Sequence, residues 1–228
     1  MGIITPANLQ RPGKGLSAFL YECGSFDKHL PAIAGQYEGK SVVVCGDAAC
    51  VWDDLDRFGC RNIGGGRGSV WKSGWHFMTV NKLVETFPGD VEHCYSNEPQ
   101  TLLTFIPARR TEYRREFAAP QHTHSISPGA KWTWPFGGHG TSGLGSVLVC
   151  IGLGYQRVVL CGMPLDNSGH NGEPPWRKCA FESSEAAGNV NTGVNSHWKQ
   201  ARDIAFEGRV RSMSGRTKDW LGDAREWG

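Results

Sequence analysis

The stretch TSGLGSVLVCIGLGYQRVVLCGMPLD, residues 141–166, decides the fold. Thr141, Ser142 and Gly143 read as a turn that opens a helix, where hydroxyls and unpaired backbone N–H groups converge on the positive end of the helix dipole. Leu144, Val147, Leu148 and Ile151 follow at helical spacing, and Gly152 with Gly154 closes the helix. Arg157 to Cys161 is then a short apolar run of the kind found in strands covered on both faces. Ligands of such sheets sit outside the carboxyl ends of the strands, which sets Gly162 to Asp166 beside the Thr141 turn. A helix start of this kind is a natural seat for a phosphate or a nucleotide oxygen. The plainer reading is a helix–strand unit with a hydroxyl cap.

Working outward, Ser41 to Cys45 is the first strand, and it runs into Gly46-Asp47-Ala48-Ala49 before an amphipathic helix begins near Val51. The layout is that of a nucleotide-binding strand–turn–helix, although the GxGxxG fingerprint is absent. His76 to Asn81 and Val91 to Tyr95 read as two further strands, the latter leading into Ser96-Asn97-Glu98-Pro99. Leu102 to Ile106 begins a helix that Pro107 interrupts, and 121–140 is a long irregular segment, as is 167–195. His197 to Glu207 is a helix, Arg209 to Met213 a strand, and Thr217 to Leu221 a short closing helix. The alternation of strands and helices predicts a three-layer α/β sandwich, Rossmann-like, with a mainly parallel sheet and long Gly/Trp-rich loops. Residues 1–40 are expected as an N-terminal arm, with a short helix near Leu16 to Cys23, and 41–228 as a single domain.

Composition narrows the function. Twenty-four Lys and Arg against 22 Asp and Glu leave a net charge of +2, which gives no global electrostatic case for nucleic acid. No apolar run approaches the roughly 20 residues of a membrane span, and neither a signal peptide nor a myristoylation pattern is recognisable, so a soluble cytoplasmic protein is expected. The eight cysteines show no metal-ligand spacing and read as reduced thiols. His122 and His124 alone do not make a metal site. The 31 glycines and nine tryptophans are in excess for this length. Several of each share the loops, where glycine permits close approach and Trp71, Trp75, Trp132, Trp134 and Trp176 offer faces to a base or sugar ring, or simply plug an irregular surface. Arg109, Arg110, Arg114 and Arg115 lie in a basic cluster that reads as a solvated face. Asp47, Asn81, Asn97, Ser142 and Asp166 all fall at predicted strand ends or at the helix start, and together they outline a crevice rich in hydrogen-bonding groups and poor in fixed charge.

These strand ends resemble, in order and wording, those of the bacterial lipooligosaccharide sialyltransferases and of the wider Rossmann-like set that includes the MptE-like pterin diphosphokinases. Gly46-Asp47-Ala48-Ala49 stands at the family's Gly-Asn-Gly-Pro turn, Val80-Asn81 at its second strand end, and Tyr95 to Pro99 at its Tyr-Asn-Pro end. Thr141-Ser142-Gly143, Leu153-Gly154-Tyr155 and Gly162 to Asp166 match its helix start and following strand. Asn195-Ser196-His197-Trp198-Lys199 before Asp203-Ile204 falls where the family carries its histidine base. The Arg211 to Gly215 ending is also similar to phage-encoded proteins, a likeness that implies a nucleic-acid or nucleotide acceptor with Arg109, Arg110, Arg114 and Arg115 as phosphate contacts.

The resemblance covers about residues 41 to 221 and implies a metal-independent glycosyltransferase that moves a sugar from a CMP- or UDP-linked nucleotide sugar to a hydroxyl acceptor, a glycan or a modified nucleic-acid base. It implies Gly46, Asp47, Asn81, Asn97, Thr141, Ser142, Gly143, Gly162 and Asp166 around the nucleotide and His197 as the catalytic base; were His197 dispensable, the base would be sought in His139 or His170 of the flanking loops. Asp47 replaces an Asn of the family, and a carboxylate there favours ribose hydroxyls or a base over phosphate. The family's lid tyrosines have no match; His170, Trp176, Arg177 and Lys178 occupy that region. A diphosphokinase-type pyrophosphate enzyme and a non-catalytic nucleotide-binding protein are the alternative readings, and a homo-oligomer is compatible with any of them.

Overall fold

The computed structural model describes residues 14–22, 30–60, 70–112, 114, 117–124, 128–136, 141–166 and 185–227. Seven strands form one sheet: β1 (Ser41–Cys45), β2 (Trp75–Val80), β3 (His93–Tyr95), β4 (Gln121–Thr123), β5 (Trp132–Thr133), β6 (Arg157–Cys161) and β7 (Val210–Ser212). Their spatial order is β5-β4-β3-β2-β1-β6-β7, and every neighbouring pair is parallel. The chain therefore builds outward from β1 to β5, then returns to build β6 and β7 on the other side. The reversal lies between β1 and β6, the place where doubly wound sheets open a crevice.

The helices are α1 (Lys14–Glu22), α2 (Val51–Arg57), α3 (Leu83–Thr86), α4 (Pro99–Thr111), α5 (Ser142–Leu153), α6 (Glu185–Ile204) and α7 (Gly215–Leu221), followed by a 3-10 turn at Ala224–Trp227. Alternation along the strands assigns the two faces. Val42, Val44, Met78, Val80, Tyr95, Val158 and Leu160 pack with α5, Trp198 of α6, and Leu16 and Phe19 of α1. Val43, Cys45, Phe77, Val159 and Cys161 pack on the opposite face with Val51 and Leu55 of α2 and Leu83 of α3. Because β1 and β6 are covered on both sides, their apolar runs are unbroken, as read from sequence. In the segment expected as an arm, Leu16 and Phe19 are buried, and Gly35 and Tyr37 donate backbone hydrogen bonds to the Gly152 and Leu153 carbonyls.

α5 has the predicted ends. Thr141 is extended, and its hydroxyl accepts from the Leu144 N–H, while Gly154 closes the helix in the left-handed conformation at φ 96°. Residues 144–153 are all buried, which explains a helix of so little amphipathic contrast. Three expectations are corrected. α4 runs through Pro107 without interruption: Pro107 and Leu103 are both on the exposed face, so water can hydrate the carbonyl that proline leaves unpaired. The segment 121–140 carries two short strands, β4 and β5, at the sheet margin. α6 begins at Glu185 rather than near His197, so 185–195 is helical.

Candidate functional site

Gly46 and Gly162 end β1 and β6 in near contact. A Cβ on Gly46 would meet the Gly162 carbonyl oxygen at 2.5 Å, and a Cβ on Gly162 would meet the Gly46 oxygen at 2.5 Å. Gly162 also has φ +68°, so the close approach and the backbone turn both require glycine there. Met163 fills the space above this pair. Its side chain lies within 2.6 Å of the Cβ position of Gly46 and 3.3 Å of that of Gly143. The exit of the first strand, the exit of β6 and the start of α5 thus meet around one thioether.

The turn at 162–166 is held from below. Asp54 of α2 is fully buried, and one carboxylate oxygen accepts from the Gly162 N–H at 2.9 Å and the Ser214 hydroxyl at 2.7 Å. The Cys50 thiol approaches that oxygen at 3.5 Å, and Arg57 reaches the other oxygen at 3.3 Å. From the C-terminal side, Thr217 donates to the Met163 carbonyl at 2.7 Å and the Arg216 N–H to that of Pro164 at 2.8 Å. Asp54 was not singled out in the sequence, because a carboxylate in the first turn of a helix ordinarily reads as a solvated dipole partner.

Across the crevice, the Tyr95 hydroxyl donates to Asn97 Oδ1 at 2.7 Å, and the Asn97 N–H donates to Ser142 Oγ at 3.2 Å. Tyr95 fits there because residue 145 is glycine; a Cβ would lie 2.3 Å from the phenol oxygen. β3 and α5 are thereby locked together at the crevice edge. Replacing Tyr95 with Phe leaves the Asn97 carbonyl oxygen without this donor and is expected to cost about 1 kcal/mol in urea unfolding. An unchanged midpoint would show that this lock contributes nothing to stability.

Asn81 takes the left-handed region at φ 51°, which Asn tolerates better than most residues. Its Oδ1 is buried without a hydrogen-bond partner. The expected nucleotide residues Gly46, Asp47, Asn81, Asn97, Thr141, Ser142, Gly143, Gly162 and Asp166 therefore all lie at the carboxyl edge of the sheet or at the start of α5. Asp47 is half-buried and Asp166 exposed. His197 is half-buried on α6, next to Trp198, whose ring atom Cζ2 lies 3.6 Å from the Cβ position of Gly143. His139, His170, Trp176, Arg177 and Lys178 lie outside the described residues.

Two expectations fail here. Arg109 does not face a nucleic acid: it is buried and donates to the carbonyls of Val84 at 3.0 Å, Phe87 at 2.5 Å and Gly89 at 3.0 Å, capping loop ends inside the fold. Its neighbour Arg110 donates to the Phe117 carbonyl at 2.7 Å. Trp134, read as a face for a ligand, is fully buried instead.

Trp134 begins a hydrogen-bond chain beneath α5. An indole N–H only donates, so His122 Nδ1, 2.9 Å away, accepts, and the His122 proton must sit on Nε2. That proton is donated to His93 Nδ1 at 3.0 Å, and His93 Nε2–H in turn faces the Tyr155 hydroxyl at 3.0 Å. Tyr155 then donates to His76 Nδ1 at 2.8 Å. The donor-only indole fixes both tautomers, and a proton added to His93 Nδ1 would confront the His122 N–H. Burial, reinforced by the His76 charge, lowers His93 to about 3, and burial with the His93 charge holds His122 well below the ordinary histidine range.

The consequence for stability has a defined sign. The folded state refuses protons that the unfolded histidines accept near pH 6.5, so stability is complete above that pH and falls as the pH drops toward 3. Between pH 6 and 5, each histidine contributes a loss approaching about 1.4 kcal/mol per pH unit. Further down, the Glu92 carboxyl, raised by burial, partly offsets the loss. Urea titrations at pH 7, 6 and 5 should show an uptake of about two protons on unfolding near pH 5. A flat profile between pH 7 and 5 would mean that His93 and His122 take up protons in the folded state as readily as in the unfolded one.

No family model matches the chain, and no curated protein matches it. Among solved structures it is similar to the sialyltransferase CstII from Campylobacter jejuni in complex with the substrate analogue CMP-3FNeuAc. The TM-score is 0.53 at 9% sequence identity, covering 81% of this chain and 86% of that chain. Similarity to the same enzyme in complex with cytidine-5'-monophosphate gives a TM-score of 0.51 at 10% identity, covering 82% and 86%. The chain is thus a Rossmann-like α/β domain whose fold resembles that of a glycosyltransferase. Among the described residues, no helix is long and apolar enough to cross a membrane, and no three His, Cys, Asp or Glu side chains group as metal ligands.

Proposed function

We infer that the protein is a glycosyltransferase that takes a sugar from a nucleotide sugar and passes it to a hydroxyl acceptor. The observation that carries this reading is the junction of the β3 exit with the start of α5, where the Asn97 N–H meets Ser142 Oγ at 3.2 Å in a fold shared with a protein bound to CMP compounds. The nucleotide lies along the strand ends, with its phosphate on the helix start at Thr141 to Gly143. Asn81 Oδ1, buried and lacking a donor, takes a ligand N–H or O–H. Asp47 suits ribose hydroxyls. An alcohol is a weak nucleophile until its proton is removed as the new bond forms, and His197 is the base that removes it. The departing nucleotide carries its developing negative charge onto the α5 dipole and backbone N–H groups. The acceptor is a glycan or a modified nucleic-acid base.

The test is a thermal-shift panel of CMP-, UDP-, GDP- and ADP-linked sugars and ATP, with and without Mg²⁺, followed by a transfer assay on the stabilising donor. Stabilisation by one nucleotide-sugar series without metal supports the transferase and names its donor. Stabilisation by ATP only with Mg²⁺ replaces it with diphosphoryl transfer, and tight binding without turnover replaces it with a sequestering protein.

A further inference from the structure

Two large indole rings are buried in the core, Trp134 at 0% and Trp198 at 1% exposure. They are treated differently. The Trp134 N–H is bonded to His122 at 2.9 Å, whereas Trp198 Nε1 is buried with no hydrogen-bond partner. An indole N–H is a donor and nothing else, and a buried indole ordinarily reaches an acceptor. Phe or Leu would fill the same apolar space without the penalty of a stranded donor, so the orphaned group requires an explanation.

Its surroundings supply one. Cζ2, on the ring edge that also carries Nε1, lies 3.6 Å from the Cβ position of Gly143, in the first turn of α5. At that helix start the Leu144 N–H is taken by the Thr141 hydroxyl and the Gly145 N–H by the Thr141 carbonyl. The Ser142 and Gly143 N–H groups have no such acceptor among the described residues. Ser142 Oγ accepts from the Asn97 N–H, which leaves its own proton to donate. Beside the positive end of a twelve-residue helix, the available groups are therefore donors: two backbone N–H groups, one hydroxyl and one buried indole.

We propose that Trp198 is a ligand-binding residue whose indole N–H donates to an anionic oxygen held at the start of α5, the phosphate of the departing nucleotide. The proposal rests on the nucleotide-sugar reading for the identity of the anion. Trp198 joins the helix start to α6, the helix that carries His197, so that binding of the phosphate and placement of the base depend on one side chain.

The experiment is ¹H–¹⁵N spectroscopy of protein labelled at its indole nitrogens, with the Trp198 signal assigned by Trp198→Phe and titrated with CMP, cytidine and inorganic phosphate. The Trp198 signal is expected to move downfield with CMP and with phosphate and to stay in place with cytidine, while that of Trp134 stays fixed on His122. Should cytidine move it as far as CMP, or should saturating CMP leave it in place, the assignment is overturned. If CMP does not bind, the titration is repeated with the nucleotide of whichever donor series stabilises the protein, and the nucleotide reading fails only if no nucleotide binds. Phosphate then decides the anion site: a Trp198 shift upholds the site, and no shift overturns it.

Because Trp198→Phe also removes volume, a second variant replaces the indole with its sulfur isostere, benzothienylalanine, at residue 198. Its CMP affinity is expected to fall roughly 10- to 100-fold, the effect of losing one hydrogen bond to a charged group, with cytidine affinity unchanged. The melting temperature of the free variant should rise, since a stranded donor has been removed. A purely structural tryptophan would instead show a lower melting temperature and equal affinities.

Discussion

Replacing Asp54 with Ala is expected to lower the unfolding free energy by about 3–5 kcal/mol, two hydrogen bonds to a charged group at about 1.5–3 kcal/mol each, a large share of the total for a domain of this kind. The cost arises from what is left behind. The buried Gly162 N–H and the half-buried Ser214 hydroxyl would both lose their acceptor, and the Cys50 contact would go with them. Three parts of the chain are joined at this one carboxylate: the first turn of α2, the turn after β6, and the residue before α7. The Arg57 partner is not the source of the effect, because its side chain is 53% exposed. Arg57→Ala should therefore change stability by less than about 1 kcal/mol. Urea unfolding of both variants separates the two contributions, and equal losses would show that the ion pair, rather than the backbone clamp, is what matters.

His197→Ala is expected to reduce kcat/KM for sugar transfer by about 10²–10⁴-fold, the range for loss of a positioned general base. Nucleotide affinity should hardly change, since the groups proposed to bind it are on the strand ends, on α5 and at Trp198, and none is on residue 197. This separation of turnover from binding distinguishes a base from a structural residue of α6. Full activity in His197→Ala would remove His197 from the mechanism and direct the search to His139 and His170. Measuring CMP affinity and transfer rate on the same preparations excludes misfolding as the cause.

Much of this architecture was legible because local chemistry and tertiary role agree in the middle of the chain. Thr141 caps, Gly154 terminates, and the Val- and Cys-containing runs of β1 and β6 are uninterrupted because both faces of those strands are covered. Agreement failed where an element owes its existence to neighbours. β4 and β5 have three and two residues, too few to show a period, and they form because β3 offers a free edge. Residues 185–195 are rich in Asn and Gly, which hides the front half of α6. Pro107 reads as a breaker, yet a proline on a hydrated helix face does not break it. In the site, strand-end residues could be located by counting along strands. Asp54, Tyr95 and Trp198 could not, since their roles depend on contacts between segments: Asp54 with Ser214, Tyr95 with Gly145, Trp198 with Gly143.

The strand order also dictates a timetable for synthesis. β1 is the third strand from one end of the sheet, and one of its two neighbours is β6, more than a hundred residues further along the chain. A ribosome delivering residues in order exposes β1, β2 and β3 long before residues 157–161 emerge. During that interval the β6-facing edge of β1, a Ser-Val-Val-Val-Cys ribbon, stands open to any passing strand. The α5 cover arrives only just ahead of β6, so the central core can close only after most of the chain has been made. Slow translation through 46–156 should therefore favour aggregation, and chaperones that shield extended apolar segments should improve the yield of folded protein.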